Sequence, residues 1–311
     1  MTLHPQPLQL FDTHGMPVHG LRLGCVDIHL GDKCGKFPDG NQVLVRGSAT
    51  AAFDTPMMSN RIPDVLASAD MVILGHVHED HTAGLHLLPE TPVYAPEGDI
   101  NALRSLEGLA RHYGYADGIA HTMAARAQTD FHYMPRPDAQ SYADQTTWDL
   151  GGVQVRAIHM PGHTAGHSVL MIEPLDIAFI GDIDLSSFGP YYGDACSNLG
   201  DFRRSLAAIE SLPAQAWITS HHKGVVTDRA SFLALLSQFR GAIDRRHEAI
   251  LAAIRQRPST LQELVSARFV YPVHFNDVFV PSVESRVISQ HLEEMLAAQL
   301  VHQTDHVFHA S

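Results

Sequence analysis

Gly75-His76-Val77-His78-Glu79-Asp80-His81 follows directly on the apolar run Met71-Val72-Ile73-Leu74. A short apolar run bounded by glycine reads as a buried strand, and the loop at a strand end can turn alternate side chains toward one point. His76 and His78 then share a direction. Asp80 and His81 come after the chain has bent, so they can serve a second ion close to the first. Ordinary polar loop residues are the alternative, but a buried imidazole cluster without metal would carry mutual repulsion whenever it protonated. The density of ligand types points to metal.

Three later clusters share that context. Val153, Val155 and Ala157 alternate with polar residues and lead into Ile158-His159-Met160-Pro161-Gly162-His163, a strand ending in a turn. Ile177-Ala178-Phe179-Ile180 stops at Gly181-Asp182-Ile183-Asp184, and Ala216-Trp217-Ile218-Thr219 stops at Ser220-His221-His222-Lys223-Gly224. All four clusters thus lie just past the carboxyl ends of apolar runs, where sheet proteins gather ligands from distant parts of a chain.

His-x-His-x-Asp-His after an apolar strand, then Gly162-His163-Thr164-Ala165-Gly166-His167, a lone Asp and a last His, resembles the metallo-β-lactamase superfamily over about residues 20–235. The resemblance implies an α/β fold, the αβ/βα four-layer sandwich. It also implies a ligand set: His76, His78 and His163 on one ion, Asp80, His81 and His221 on the other, and Asp182 between them. One carboxylate can give an oxygen to each ion, which suits Asp182 to the bridge. Asp184 competes with it, as His222 does with His221, while His167 is read as a structural group behind the ligands. The cysteine that classical secreted β-lactamases carry at the bridging position is absent, which points away from β-lactam hydrolysis.

The composition, 45% hydrophobic and 18% charged, is that of a soluble globular chain, and 311 residues allow a full core in either one large domain or a main domain with an appendage. With 34 acidic against 21 basic residues the net charge of -13 works against phosphate backbones, so nucleic acid is not an expected partner. The first twenty residues lack a basic and an apolar region of signal-peptide type, and no run reaches the length of a membrane span, so a cytoplasmic protein without membrane association is expected. Cys25, Cys34 and Cys196 are odd in number and lack metal-type spacing, which reads as free, reduced thiols. Most of the 22 histidines cannot be ligands, and their position discriminates where their count does not.

Residues 21–54 read as an antiparallel meander with strands at 21–30, 41–46 and 50–54, followed by a helix at 62–69. A strand is expected at 92–96, with Asp99 as a possible cap for the helix after it. From 100 to 127 the apolar residues recur at helical spacing, with a break near Gly114 or Gly118. A helical insert of this kind, about 100–135, can act as a lid if it lies beside a catalytic mouth. Tyr113, Tyr115, Phe131 and Tyr133 either line a pocket there or pack the insert onto the body. Beyond Gln238 the pattern turns to three helices and a closing strand, with capping-box spacing at Ser259 and Gln262. The chain therefore divides into a catalytic domain, 1–238, and a helical, winged-helix-like domain, 239–311, similar to the tail of some superfamily hydrolases. Its last helix carries Glu284, Glu293 and Glu294 against one arginine, unlike a DNA-reading helix. It is read as a wall of the active site or a homodimer surface, with the aromatic segment 269–279 offered to the substrate.

The nitrogen-rich site with mixed carboxylates suits two zinc ions best, with iron or manganese as alternatives. The expected enzyme is a metal-dependent hydrolase that uses a metal-bridging hydroxide on a small-molecule ester, lactone or thioester. Asp80 would pass a proton to the leaving group, and Tyr191 or Tyr192, of which Tyr192 is preferred, would donate to the developing oxyanion. Endoribonuclease or phosphodiesterase action shares such a site, and a mononuclear iron sulfur dioxygenase would use His76, His163 and Asp182. A non-enzymatic metal buffer or regulatory module is the remaining alternative.

Overall fold

The apolar runs become the inner strands of two sheets. In the computed structural model, which describes residues 4–311, the first sheet has eight strands in chain order. They are β1 (Gln6–Phe11), β2 (Pro17–Leu23), β3 (Val26–His29), β4 (Gln42–Arg46), β5 (Thr50–Phe53), β6 (Met71–Ile73), β7 (Val93–Pro96) and β8 (Gln140–Tyr142). The first three residues of the expected catalytic domain lie outside the described residues. Neighbours from β1 to β5 pair antiparallel, and those from β5 to β8 pair parallel. A single turn, α1 (Asp32–Gly35), joins β3 to β4. Parallel pairs need longer crossovers, which hold α2 (Pro63–Leu66) and then α3 (Ile100–Arg104), α4 (Leu106–Tyr113) and α5 (Asp117–Asp130).

The second sheet also keeps chain order: β9 (Thr147–Asp149), β10 (Gln154–His159), β11 (Ser168–Glu173), β12 (Ile177–Phe179), β13 (Ala216–Ile218) and β14 (Val225–Val226). Only β12 and β13 pair parallel, across α6 (Leu199–Ala208). Phe53, Ile73, Phe179 and Ile218 fill the space between the sheets, with the Phe53 and Phe179 rings 5.6 Å apart. Leu103 and Leu109 from the insert cover the outer face of the first sheet. Phe202 of α6 and Phe232 of α7 (Arg229–Gln256) cover that of the second, where Phe232 stacks on Trp217 at 4.2 Å. The result is the four-layer helix-sheet-sheet-helix sandwich. Inner strands buried on both faces are why their sequences read as continuous apolar runs. Each such side chain contributes roughly 1.5–3 kcal/mol by leaving water.

Three expectations change. The strand read at 21–30 is two, because Gly24, at φ 60°, reverses the chain between β2 and β3. The boundary read at 238 falls inside α7, which runs unbroken. Phe232, Leu236 and Phe239 pack on the second sheet, while Ile250, Leu251 and Ile254 join the tail. That tail holds α8 (Leu261–Ala267), α9 (Val280–Ala297) and a small sheet of β15 (Ser259–Thr260), β16 (Val301–Thr304) and β17 (Val307–Ala310). The capping box of α8 is made by Thr260 and Glu263, one residue later than the sequence suggests. Among the described residues no helix is long and apolar enough to cross a membrane.

Candidate metal centre

The loops past β5, β6, β10, β12 and β13 meet at one edge of the sandwich, and two backbone positions fix how they do so. Gly162 sits at φ 132° with Phe202 so close that a Cβ would stand 2.3 Å from its Cα. Gly181, at φ 54°, lets the chain turn over the His167 ring, where a Cβ would lie 2.8 Å from Nε2. Asp99 ties two of the loops together by accepting from Val77 N, Thr164 Oγ1 and Gly166 N at 3.2, 2.6 and 2.8 Å. Its side chain is spent here and does not cap α3.

His76, His78 and His163 form one group whose ligand atoms all lie within 4.8 Å of one another, with His163 Nε2 3.1 Å from His78 Nδ1. Asp80, His81 and His221 form a second. There His221 Nε2 lies 3.1 Å from Asp80 Oδ2 and 3.3 Å from His81 Nε2. Asp182 stands between them: Oδ1 is 3.2 Å from His81 Nε2 and 3.6 Å from His221 Nε2, while Oδ2 is 3.4 Å from His163 Nε2. Tetrahedral ligands at ordinary zinc distances are about 3.3 Å apart, and these separations bracket that figure.

Buried polar atoms provide a second test of fit. Both ring nitrogens of His76 and Oδ1 of Asp182 are buried without a hydrogen-bond partner. Such an orphan costs about 1–3 kcal/mol unless a ligand satisfies it. Burial holds His76 well below the usual histidine range and His163 down at about 3, so both are neutral and keep a lone pair to give. In the second group burial opposes charge, yet the carboxylates of Asp80, Asp182 and Asp54 carry His81 well above that range. Asp182 and Asp80 likewise outweigh burial to raise His221 to about 9. Against its own burial, Asp182 is held well below the carboxylate range by His81 and His221. Imidazolium protons thus balance the carboxylates, a charge that a divalent cation could supply instead.

The outward nitrogens are held as metal-binding histidines require. His81 Nδ1 meets Asp54 Oδ2 at 2.8 Å, His221 Nδ1 meets Gly35 O at 2.8 Å, and His163 Nδ1 meets Tyr191 O at 3.1 Å. His78 Nε2 faces Asp194 Oδ2 at 3.2 Å. In a neutral ring the hydrogen bonds of His81, His221 and His163 keep the proton on the outer nitrogen and the lone pair inward.

All seven sequence-read ligands therefore converge. Asp184 turns toward His222, 3.6 Å away, and away from the groups just described. His167 bonds Met160 O at 3.0 Å and accepts from Asp182 N at 3.3 Å, shaping the loop as expected. Tyr192 is a correction: its ring is fully buried in the core and its hydroxyl meets His291 Nε2 at 2.9 Å, so it does not reach the centre. Tyr191 sits closer, with its ring 5.9 Å from that of His163 and its hydroxyl on Asp194. Within the insert, Tyr113 stacks on His78 at 5.5 Å and donates to Glu79, whereas Tyr133 packs inward by donating to Ala102 O. Phe131 meets Phe37 at 6.2 Å, and Phe37 lies 6.4 Å from His221, so these two rings edge the mouth. Sequence reasoning misses Asp54 and Asp194. Asp54 carries the same signal as Asp182, a carboxylate at the end of an apolar run.

A family model described as Metallo-beta-lactamase superfamily matches residues 69–238. The Beta-lactamase-like protein 2 homolog of Drosophila melanogaster is 26% identical over 70% of this chain and 67% of its own length. The Atrochrysone carboxyl ACP thioesterase of Aspergillus chevalieri is 24% identical over 65% of this chain and 54% of its own length. The Hydroxyacylglutathione hydrolase of Acidiphilium cryptum (strain JF-5) is 30% identical over 56% of this chain and 54% of its own length. This chain thus spans from about half to two thirds of these relatives. A solved metallo-beta-lactamase family protein from Thermus thermophilus superposes with a TM-score of 0.65 at 19% identity, covering 100% of this chain and 99% of that one.

Proposed function

The chain belongs to the metallo-beta-lactamase superfamily, and from that premise we propose that it is a dinuclear, zinc-dependent hydrolase of acyl thioesters. The observation that carries the reading is the pair of ligand groups divided by Asp182, whose two oxygens face one group each. His76, His78 and His163 would hold one ion and Asp80, His81 and His221 the other, with Asp182 available to both. When bound, two such ions supply Lewis acidity for the acyl carbonyl and bring water within reach of deprotonation near neutral pH. The nitrogen-rich first group and the mixed second group suit zinc. Two relatives with thioester names, the hydroxyacylglutathione hydrolase and the ACP thioesterase, support the choice of substrate class.

The chain's own residues do the rest. Asp54 fixes which nitrogen of His81 faces inward, and Asp194 faces the outer nitrogen of His78. Burial raises the Asp80 carboxyl, but His81 and His221 hold it below the carboxylate range, so it starts ionised; it would take the proton released by the attacking water and pass it to the sulfur that leaves as the C–S bond breaks. Tyr113 and the Phe37 and Phe131 rings exclude water around the acyl group. The test is a panel of S-acyl glutathione, coenzyme A and N-acetylcysteamine thioesters, with lactones and aryl esters alongside. The reading expects thioester hydrolysis that chelation abolishes and zinc restores, and that His78→Ala lacks. Turnover of lactones alone, or turnover that survives chelation, would sink it.

A further inference from the structure

The chain contains three lysines, Lys33, Lys36 and Lys223, and the fold brings all three to one side of the metal centre. Gly35, between Lys33 and Lys36, gives its carbonyl to His221 Nδ1 at 2.8 Å, and Lys223 lies two residues past that histidine. Gly224 packs against the same turn, where a Cβ would touch Leu30 and Cys34. Asn41 stitches the two segments by donating to Cys34 O and Thr219 O at 3.0 and 3.1 Å. Both segments hold left-handed backbone at residues other than glycine: Lys33 at φ 53°, Cys34 at 58° and His222 at 64°. Such conformations persist only where the surroundings enforce them, and they concentrate at binding sites.

The charge around the lysines is already arranged. The carboxylates of their own turn and its continuation, Asp32 and Asp39, are taken by Arg61 at 2.8 and 2.7 Å. Among the described residues none of the three lysines has an ion-pair partner, and all are exposed. A chain of net charge -13 therefore keeps its three lysine ammonium groups unpaired beside the edge of the site where Phe37 closes the mouth. The net charge opposes an approaching anion on average, and three clustered ammonium groups offset that locally.

From this juxtaposition we infer that Lys33, Lys36 and Lys223 form a subsite for an anionic group, carboxylate or phosphate, on the thiol portion of the substrate, with the acyl group lying under the aromatic residues of the insert. The inference rests on the thioesterase reading for the identity of the thiol portion, but the anion subsite is tested by binding alone.

The probes are S-methyl-coenzyme A, carrying phosphates, S-methylglutathione, carrying carboxylates, and uncharged S-methylpantetheine, none with a thiol free to bind metal. Each is titrated by calorimetry into the zinc-loaded protein and into Lys36→Gln/Lys223→Gln and Lys33→Gln variants. The wild type should bind at least one anionic probe about tenfold more tightly than S-methylpantetheine at low salt. That preference should shrink to within about twofold in the double variant, and in 1 M NaCl, where the screening length is about 3 Å. Preference for the coenzyme A probe assigns phosphate, and for the glutathione probe carboxylate. Equal binding of all three probes, or a preference that survives in the double variant, overturns the inference. Absence of thioester turnover with lysine-dependent binding intact would instead count against the thioesterase reading alone.

Discussion

Asp54 offers a substitution whose effect can be worked from the geometry. Its carboxylate takes His81 Nδ1 on one oxygen and Gly75 N on the other, both at 2.8 Å, and its backbone sits at φ 52°. Asparagine tolerates that conformation, and its side-chain oxygen can still accept from Gly75. Its amide NH2 then faces His81 Nδ1. Two donors cannot bond, so the imidazole proton moves to Nε2, the nitrogen that faces Asp182 at 3.2 Å and Asp80 at 3.7 Å. That is the lone pair the second ligand group would offer. Disturbing a supporting group of this kind costs about 10–100-fold in metal affinity. At about 1.4 kcal/mol per tenfold, Asp54→Asn should lose about 1.4–2.8 kcal/mol of binding at one ion. Asp54→Ala should lose as much and also about 1–3 kcal/mol of folding stability, because Gly75 N–H is left buried and unpaired. The assay is competition with a chromophoric chelator, with urea unfolding of the metal-free proteins alongside. Wild-type affinity for both ions in Asp54→Asn, or an equal loss at both, would refute the reasoning.

Other predictions follow from groups away from the ligands. Fully buried Glu284 accepts from the backbone N–H of Phe269, Val270 and Tyr271 at 3.0, 3.1 and 2.9 Å. Glu284→Ala should therefore cost about 3 kcal/mol in urea unfolding and open segment 269–279 to protease, and a cost under about 1 kcal/mol would contradict that anchoring role. Burial, with His247, Arg203 and Arg246 nearby, lowers the His291 pKa from 6.5 to about 3, so between those values only the unfolded chain binds its proton. Its contribution is present above pH 6.5 and is lost as pH falls toward 3, by up to about 1.4 kcal/mol per pH unit. The pH slope of stability in chelated protein should flatten in His291→Gln, and an unchanged slope would count against it. Tyr192→Phe should leave turnover unchanged while costing about 1 kcal/mol of stability, whereas an oxyanion donor would lose about 10²–10³ in kcat.

The centre was legible where ligands follow apolar runs. His76, Asp182 and His221 each stand just past a strand buried on both faces, and burial on both faces writes a continuous apolar run into the sequence. Asp194 and Tyr191 lie in an irregular segment between β12 and α6 that has no period to read. Which of Tyr191 and Tyr192 turns inward there is decided by His291 and Arg246 from the tail, far away in sequence. The break expected at 238 failed for a related reason. A helix that passes from one apolar cluster to another changes its partners without a glycine or proline to mark the place. Lys33 and Lys36 were equally silent, since only the fold sets them beside Lys223.

Elemental analysis of the purified wild type and of Asp182→Ala tests the central claim most directly. The account predicts close to two zinc ions per wild-type chain and a clear reduction in the variant, because both ligand groups share that carboxylate. About one iron per chain, with occupancy unchanged in Asp182→Ala, would contradict it.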